Sequence, residues 1–162
     1  MTWSRFSEIS QLAAAIILCQ GVGYIGSLFT RPAIPGWYAG LARPALTPPG
    51  WVFAPVWITL YLLMGVALYL VWRQGLSTSG VKPALLAFGV QLALNALWSW
   101  LFFGMRSPLA GLVDIVLLWL AIIVCMVLFL RVSAAAFGLL VPYILWVSFA
   151  AWLNYGILVL NR

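Results

Sequence analysis

Long apolar runs, separated by short polar breaks, account for most of the chain. Five of them reach the length of about 20 residues that a helix needs to cross the hydrocarbon core of a bilayer. They fall at about 9–29, 53–72, 83–103, 108–130 and 134–160. The pattern predicts an all-α fold: one domain over 1–162, an integral membrane bundle of five transmembrane helices. The breaks differ in length. The stretch 30–51 is long, RQGLSTSGVK after Trp72 is intermediate, and GMRS and RVS are very short. Links that short force helices 3, 4 and 5 to pack as antiparallel neighbours. The first run follows Arg5 as the core of a signal peptide would. It is too long for one and lacks a clear small-residue cleavage site, so it reads as a retained helix.

The break at 30–51 combines features that rarely coexist. Pro32, Pro35, Pro44, Pro48 and Pro49 each fix φ and remove a backbone donor, which predicts a loop. The same stretch carries Trp37, Tyr38 and Trp51, which need an apolar surface to lie against. Lipid headgroups or a ligand cavity would each provide one. Helical spacing aligns Phe53, Trp57, Tyr61 and Met64 on one stripe of helix 2, and Gln91, Asn95, Trp98 and Phe102 on one stripe of helix 3. Pro142, Trp146, Ala150 and Leu153 share a stripe on helix 5. Counting from the helix ends puts Asn95 roughly 12 Å deep, with Trp57, Trp98 and Asn154 approaching from the same side. Aromatic and amide groups from three helices therefore converge on the half of the membrane that the 30–51 loop covers. Apolar walls with a few fixed polar groups suit a flat hydrophobic ligand. The competing reading makes these aromatics core filler and interfacial belt, and Tyr69 and Trp72 are assigned to the belt.

Two stripes of small residues predict close helix contacts, because helices in lipid associate by close packing. Ala15, Cys19, Gly23 and Ser27 on helix 1 are expected to pack within the monomer rather than at a dimer seam. Gly89, Ala93 and Ala96 make a smooth face on helix 3, roughly opposite Gln91, Asn95 and Trp98, and form the better candidate for a dimer face.

Composition narrows the chemistry. Hydrophobic residues make up 66% of the 162 and charged residues 6%, where a soluble domain has about 25% charged. Histidine is absent, and the two cysteines, Cys19 and Cys125, lie inside apolar runs. Zinc sites, CxxC redox motifs and His-ligated haem are thereby excluded, and no metal site is expected. With Glu8 and Asp114 as the only acids, paired-carboxylate catalysis is all but excluded, and no catalytic residue is assigned. Asp114, about six residues into helix 4, is an intramembrane acid and so a candidate functional residue; a structural role in joining helices is the alternative. The net charge of +6 sits on scattered residues, with no basic patch for nucleic acid. Arg5, Arg73, Lys82 and Arg131 flank one side and Arg31, Arg43, Arg106 and Arg162 the other, so the charges define no orientation.

The order of motifs resembles the translocator protein family, also called tryptophan-rich sensory proteins or peripheral-type benzodiazepine receptors (TspO/MBR). The resemblance covers about 26–155. It rests on Trp37-Tyr38-x-x-Leu41-x-x-Pro44, Pro48-Pro49-x-x-x-Phe53-x-x-x-Trp57 with Leu60-Tyr61, and Gln91-Leu92-x-Leu94-Asn95-x-x-Trp98. It continues through Phe102-Phe103-Gly104, Val113-Asp114 and Pro142-Tyr143-x-x-Trp146-x-x-Phe149-Ala150-x-x-Leu153-Asn154-Tyr155. The resemblance implies a five-helix membrane protein, commonly a homodimer, that binds porphyrins such as protoporphyrin IX. In animal members it also implies cholesterol and synthetic isoquinoline or benzodiazepine ligands. It places a cavity beneath the first loop, lined by Trp57, Asn95, Trp98, Trp146, Ala150 and Leu153, with Phe53 and Tyr61 on the same stripe. The lid is then Trp37 to Trp51, including Tyr38, Pro48 and Pro49. Two departures stand out. Arg43-Pro44-Ala45-Leu46 lacks the Trp that many relatives carry before the proline pair, which weakens an expectation of porphyrin degradation. The cholesterol consensus fails by one residue between Tyr155 and Arg162.

The expected function is tetrapyrrole binding for transport, sensing or stress regulation, in a bacterial envelope membrane. Porphyrin is the ligand, in contact through its macrocycle, and no cofactor is required. The alternatives are oxidative or photochemical porphyrin degradation, and ligand-dependent regulation of another membrane protein.

Overall fold

Hydrocarbon offers no partner for a backbone N–H or C=O, so each apolar run must close its hydrogen bonds within itself. The computed structural model describes residues 2–162, with side chains from Ser7 onward, and is a bundle of five helices. They are α1 (Thr2–Ala33), α2 (Gly50–Trp72), α3 (Val81–Ser99), α4 (Pro108–Val132) and α5 (Ala134–Leu160). All five are long and apolar enough to cross a membrane. The protein is an all-α, multi-pass membrane protein. Arg5, expected among the flanking charges, lies outside the described side chains.

The helices claim part of the expected loop, which shrinks to 34–49. Pro32 deletes one N–H but does not stop α1, and Ile34 N–H still reaches the Thr30 carbonyl at 3.2 Å. Within the loop a single 3₁₀ turn spans Tyr38–Gly40. Pro49, extended at φ −55° and ψ 144°, leads directly into α2. α3 does not end as a regular helix. Its last turn, Trp100–Gly104, is π-helical, with Met105 N–H bonded to the Trp100 carbonyl at 2.8 Å. The short links are closed by serines. Ser107 and Ser133 each accept a bond on Oγ from the N–H three residues on, at 3.2 Å, which satisfies a donor that a helix start leaves open. Ser133, extended at φ −155°, both ends α4 and begins α5.

α2 packs against α1 and α5, α4 lies between α3 and α5, and α3 closes the ring against α1. The dense core occupies the half away from the long loop. There Met64, Val71, Ile122, Cys125 and Phe129 are buried, and Phe88 stacks on Phe129 at 5.7 Å. Tyr69 belongs to this core, which corrects its assignment to the interfacial belt. Its ring packs inward, and the Arg73 guanidinium covers it 5.5 Å from the centroid.

The path of α1 decides where space remains. At Gly65, a Cβ would lie 2.8 Å from Ile16 Cα, so α1 and α2 touch there backbone to backbone. Nearer the loop α1 has crossed to α3. A Cβ at Gly26 would lie 2.9 Å from Ser99 Oγ, and one at Gly104 would lie 3.3 Å from Phe29. Between these contacts α1 and α2 diverge. Ala15 and Cys19 are buried within the monomer, as the helix 1 stripe predicted, while Gly23 and Ser27 border the opened space. On α3, Gly89 and Ala93 face outward, Ala96 is half-buried, and no atom lies within 4 Å of a Cβ built at Gly89.

The α1–α2 contact makes a direct prediction. Gly65→Ala forces backbone apart and should destabilise the protein by about 1–3 kcal/mol, read as a lowered melting temperature in detergent. Gly21→Ala, with nothing within 4 Å, should leave it unchanged or slightly raised through helix propensity.

Candidate ligand-binding cavity

The divergence of α1 from α2 encloses a cavity of about 370 Å³, within the roughly 300–1,000 Å³ typical of small-molecule sites. Phe53, Trp57 and Tyr61 of α2 form one wall, and Asn95, Trp98 and Phe102 of α3 another. Trp146, Ala150 and Leu153 of α5 complete the aromatic side. The structure thus brings together nine of the twelve stripe residues, among them the six that the resemblance nominated. It also deepens two of the stripes: Met64 and Gln91 are buried in the core beyond the cavity.

The roof is smaller than the expected lid. Tyr38 and Ile34 border the cavity. Trp37 packs on Phe102 and Phe103, with ring centroids at 5.5 and 6.4 Å, and so holds the loop down. Burial pushes the Tyr38 phenol above its ordinary pKa, and Arg43, 5.3 Å from its ring centroid, opposes that shift. The loop is also tied to α5. The Asn161 side chain bonds both the N–H and the carbonyl of Ala42, at 3.0 and 2.9 Å. Pro44 lies against Gly156, where any side chain would collide with it. Three lid expectations need correction. Trp51 is 75% exposed and points away from the cavity, because α2 starts at Gly50 and its next residues, Phe53 and Ala54, take the inner face. Pro48 and Pro49 line an open depression on the outer side of the loop, with Arg43 and Thr47.

Few polar groups face this space, and most are engaged. Tyr61 donates to Asn95 Oδ1, and Asn95 Nδ2 donates to Tyr143 at 2.8 Å. Trp98 Nε1 donates to Asn154 Oδ1 at 3.1 Å, while its ring stacks on Phe102 at 5.2 Å. Asn154 Nδ2 donates to the Pro108 carbonyl at 2.7 Å, so one amide joins α3, α4 and α5. Trp146 differs. Its Nε1 is buried without a partner, and Phe53 meets its ring edge-on at 6.0 Å. Asp114 is also buried, its Oδ2 unpartnered, but it does not border the cavity.

Reading the sequence missed the wall contributed by α1. Gly23, Ser27 and Thr30 line it, Arg31 stands at the rim, and Gln20 Nε2 bridges to the Ile58 carbonyl at 2.9 Å. The signal was present as the small-residue stripe, taken for packing alone along its whole length. Of the arginines on the loop side of the bundle, Arg31, Arg43, Arg106 and Arg162, Arg31 alone borders the cavity.

Comparison with known proteins supplies the family. The TspO/MBR family profile matches residues 15–160. The chain belongs to the TspO/MBR family. It is 50% identical over 154 residues to the "Tryptophan-rich protein TspO" of Chlorobaculum tepidum, covering 95% of this chain and 98% of that one. It is 43% identical over 134 residues to the human "Translocator protein", covering 82% and 79%. The "Tryptophan-rich sensory protein" of Cereibacter sphaeroides is 36% identical over 125 residues, 77% of each chain. In this TspO/MBR chain, Asn154→Leu should strand Trp98 Nε1, while the Pro108 carbonyl keeps its bond in the first turn of α4. The expected loss is about 1–3 kcal/mol per group left unsatisfied, measured by thermal unfolding. Trp98→Phe keeps the ring stack and should cost less.

Proposed function

We propose that the cavity beneath the 34–49 loop binds a flat hydrophobic ligand of the tetrapyrrole class. On this reading the protein serves that ligand's transport, sensing or stress regulation in a bacterial envelope membrane. The observation that carries it is the convergence of Trp57, Trp98 and Trp146, from three helices, on one predominantly apolar cavity. Trp57 and Trp98 supply faces for stacking a macrocycle, and Arg31 at the rim supplies a cation for a ligand carboxylate. The names of the relatives, translocator and sensory protein, fit either movement or detection of a ligand. A homodimer through Gly89, Ala93 and Ala96 belongs to the same reading, since close backbone approach holds helices together in lipid.

A second reading, oxidative or photochemical degradation of the bound porphyrin, is favoured by the position of Trp57 and Trp146 on the cavity. An excited porphyrin would sit beside two oxidisable indoles. Light-dependent loss of porphyrin that stops in Trp57→Phe at saturating porphyrin would support it over binding alone.

Binding is tested by quenching of intrinsic Trp fluorescence with protoporphyrin IX in the dark. Wild type should quench saturably, and Trp146→Ala and Arg31→Gln should each raise the apparent Kd roughly five- to tenfold, the share of one ring or charge contact. Trp72→Phe, remote from the cavity, should bind as wild type. Linear quenching, identical in all four proteins, would mean partitioning into the bilayer and would overturn the assignment.

A further inference from the structure

Four buried side chains from three helices form one hydrogen-bonded chain at the cavity floor. Tyr61 Oη donates to Asn95 Oδ1, Asn95 Nδ2 donates to Tyr143 Oη at 2.8 Å, and Tyr143 Oη donates to Gln91 Oε1 at 2.9 Å. None of the four is more than 6% exposed. Tyr61 and Asn95 border the cavity, whereas Tyr143 and Gln91 lie behind it. Every bond in the chain runs in the same direction. A phenol has one proton, and that of Tyr61 is committed to Asn95. What Tyr61 offers a ligand is therefore its lone pairs. The far end of the chain is incomplete, since Gln91 Nε2 is buried with no partner.

A chain of phenols and amides has one other self-consistent direction. Gln91 Nε2 would donate to Tyr143, Tyr143 to the Asn95 oxygen, and Asn95 nitrogen to Tyr61, freeing the Tyr61 proton toward the cavity. Mixed arrangements are poorer: with Gln91 alone turned, Tyr143 accepts twice and its proton goes unpaired, and with Asn95 alone turned, two acceptors compete for the one Tyr143 proton. Each leaves a buried polar group unsatisfied, which is expensive. The donor or acceptor character of Tyr61 is thus set at the opposite end of the chain.

We infer that Gln91, which does not border the cavity, decides through the orientation of its amide whether Tyr61 accepts or donates at the cavity floor, and that the orientation present makes Tyr61 an acceptor for ligands with an N–H there. This rests on the cavity being the ligand site. Aromatic walls and a Tyr61 acceptor on the floor together describe a flat heteroaromatic carrying an N–H. Tyr61 is a specificity-determining residue in direct reach of the ligand, and Gln91 is a positioning residue that acts through Tyr143 and Asn95.

Carbazole, dibenzofuran and fluorene test this, because they share one planar tricyclic shape and differ in an N–H, an ether oxygen or a methylene. Calorimetric titration into the protein in lipid nanodiscs, corrected against empty nanodiscs, gives their affinities. Wild type should bind carbazole roughly fivefold more tightly than fluorene, the share of one net hydrogen bond. Tyr61→Phe should remove that advantage. Gln91→Leu leaves Tyr143 without its acceptor and turns the chain around, so carbazole should lose its advantage and dibenzofuran gain on fluorene. Tyr143→Phe cuts the chain while leaving both ends in place, and serves if Gln91→Leu fails to fold; the carbazole advantage should shrink. If wild type binds all three probes equally, or if the carbazole preference survives both Gln91→Leu and Tyr143→Phe, the inference is overturned while the cavity remains a binding site. If no probe binds saturably to wild type, the inference is overturned, and the protoporphyrin IX titration decides the cavity reading separately.

Discussion

Two close contacts fix the course of α1, and the rest of the site depends on that course. At Gly65 the backbones of α1 and α2 meet with no room for a methyl group, and at Gly26 α1 lies on Ser99 of α3. A straight helix held at one end by α2 and at the other by α3 must leave α2 in between. The gap is kept open by rings too large to let the helices close, Tyr61 against Gly23 and Trp57 one turn further on. In lipid no hydrophobic force draws helices together, so small residues where contact is wanted and large ones where it is not can set the spacing. The cavity follows from where glycine and aromatic residues stand along two helices.

Roofing that gap requires a loop that is stiff, apolar beneath and anchored at both ends. The prolines supply stiffness, and Trp37 and Tyr38 supply the apolar underside, packed on Phe102 and Phe103. The π-helical turn at the end of α3 presents those two rings side by side, 4.8 Å apart, at a distortion of a kind that often marks functional sites. Asn161 and Gly156 then fasten the loop to α5. Among the described residues, three buried side-chain polar atoms lack partners: Trp146 Nε1, Gln91 Nε2 and Asp114 Oδ2. The first lies on the cavity residue Trp146 and the second at the end of a chain that starts on the cavity floor. The third stands apart from both, and the structure offers no account of it.

The fold was legible because the bilayer imposes a length and an apolar character that five runs meet outright. The α2, α3 and α5 walls were legible because Trp57, Asn95, Trp98 and Trp146 recur at helical spacing and comparable depth. The α1 wall was not, because Gly23 and Ser27 look the same whether they touch a neighbouring helix or border an opening; which they do is decided by the tilt of α1. Trp51 was misplaced for a related reason. The run of prolines hides that α2 begins at Gly50, and two residues, roughly 200° of helix, separate the outward Trp51 from the inward Phe53. Tyr69 was taken for a belt residue on composition, yet Arg73 closing over its ring permits burial. Asn161, the anchor of the roof, lies outside every apolar stripe and carries no local signal.

The most direct test of this account is to fill the space while leaving its polar groups alone. Ala150→Trp adds a ring to the α5 wall and deletes no hydrogen bond. Saturable binding of protoporphyrin IX in the dark should disappear in this variant, while thermal stability in detergent stays close to wild type. Undiminished saturable binding, with the variant folded, would contradict the account and would place the ligand elsewhere on the protein.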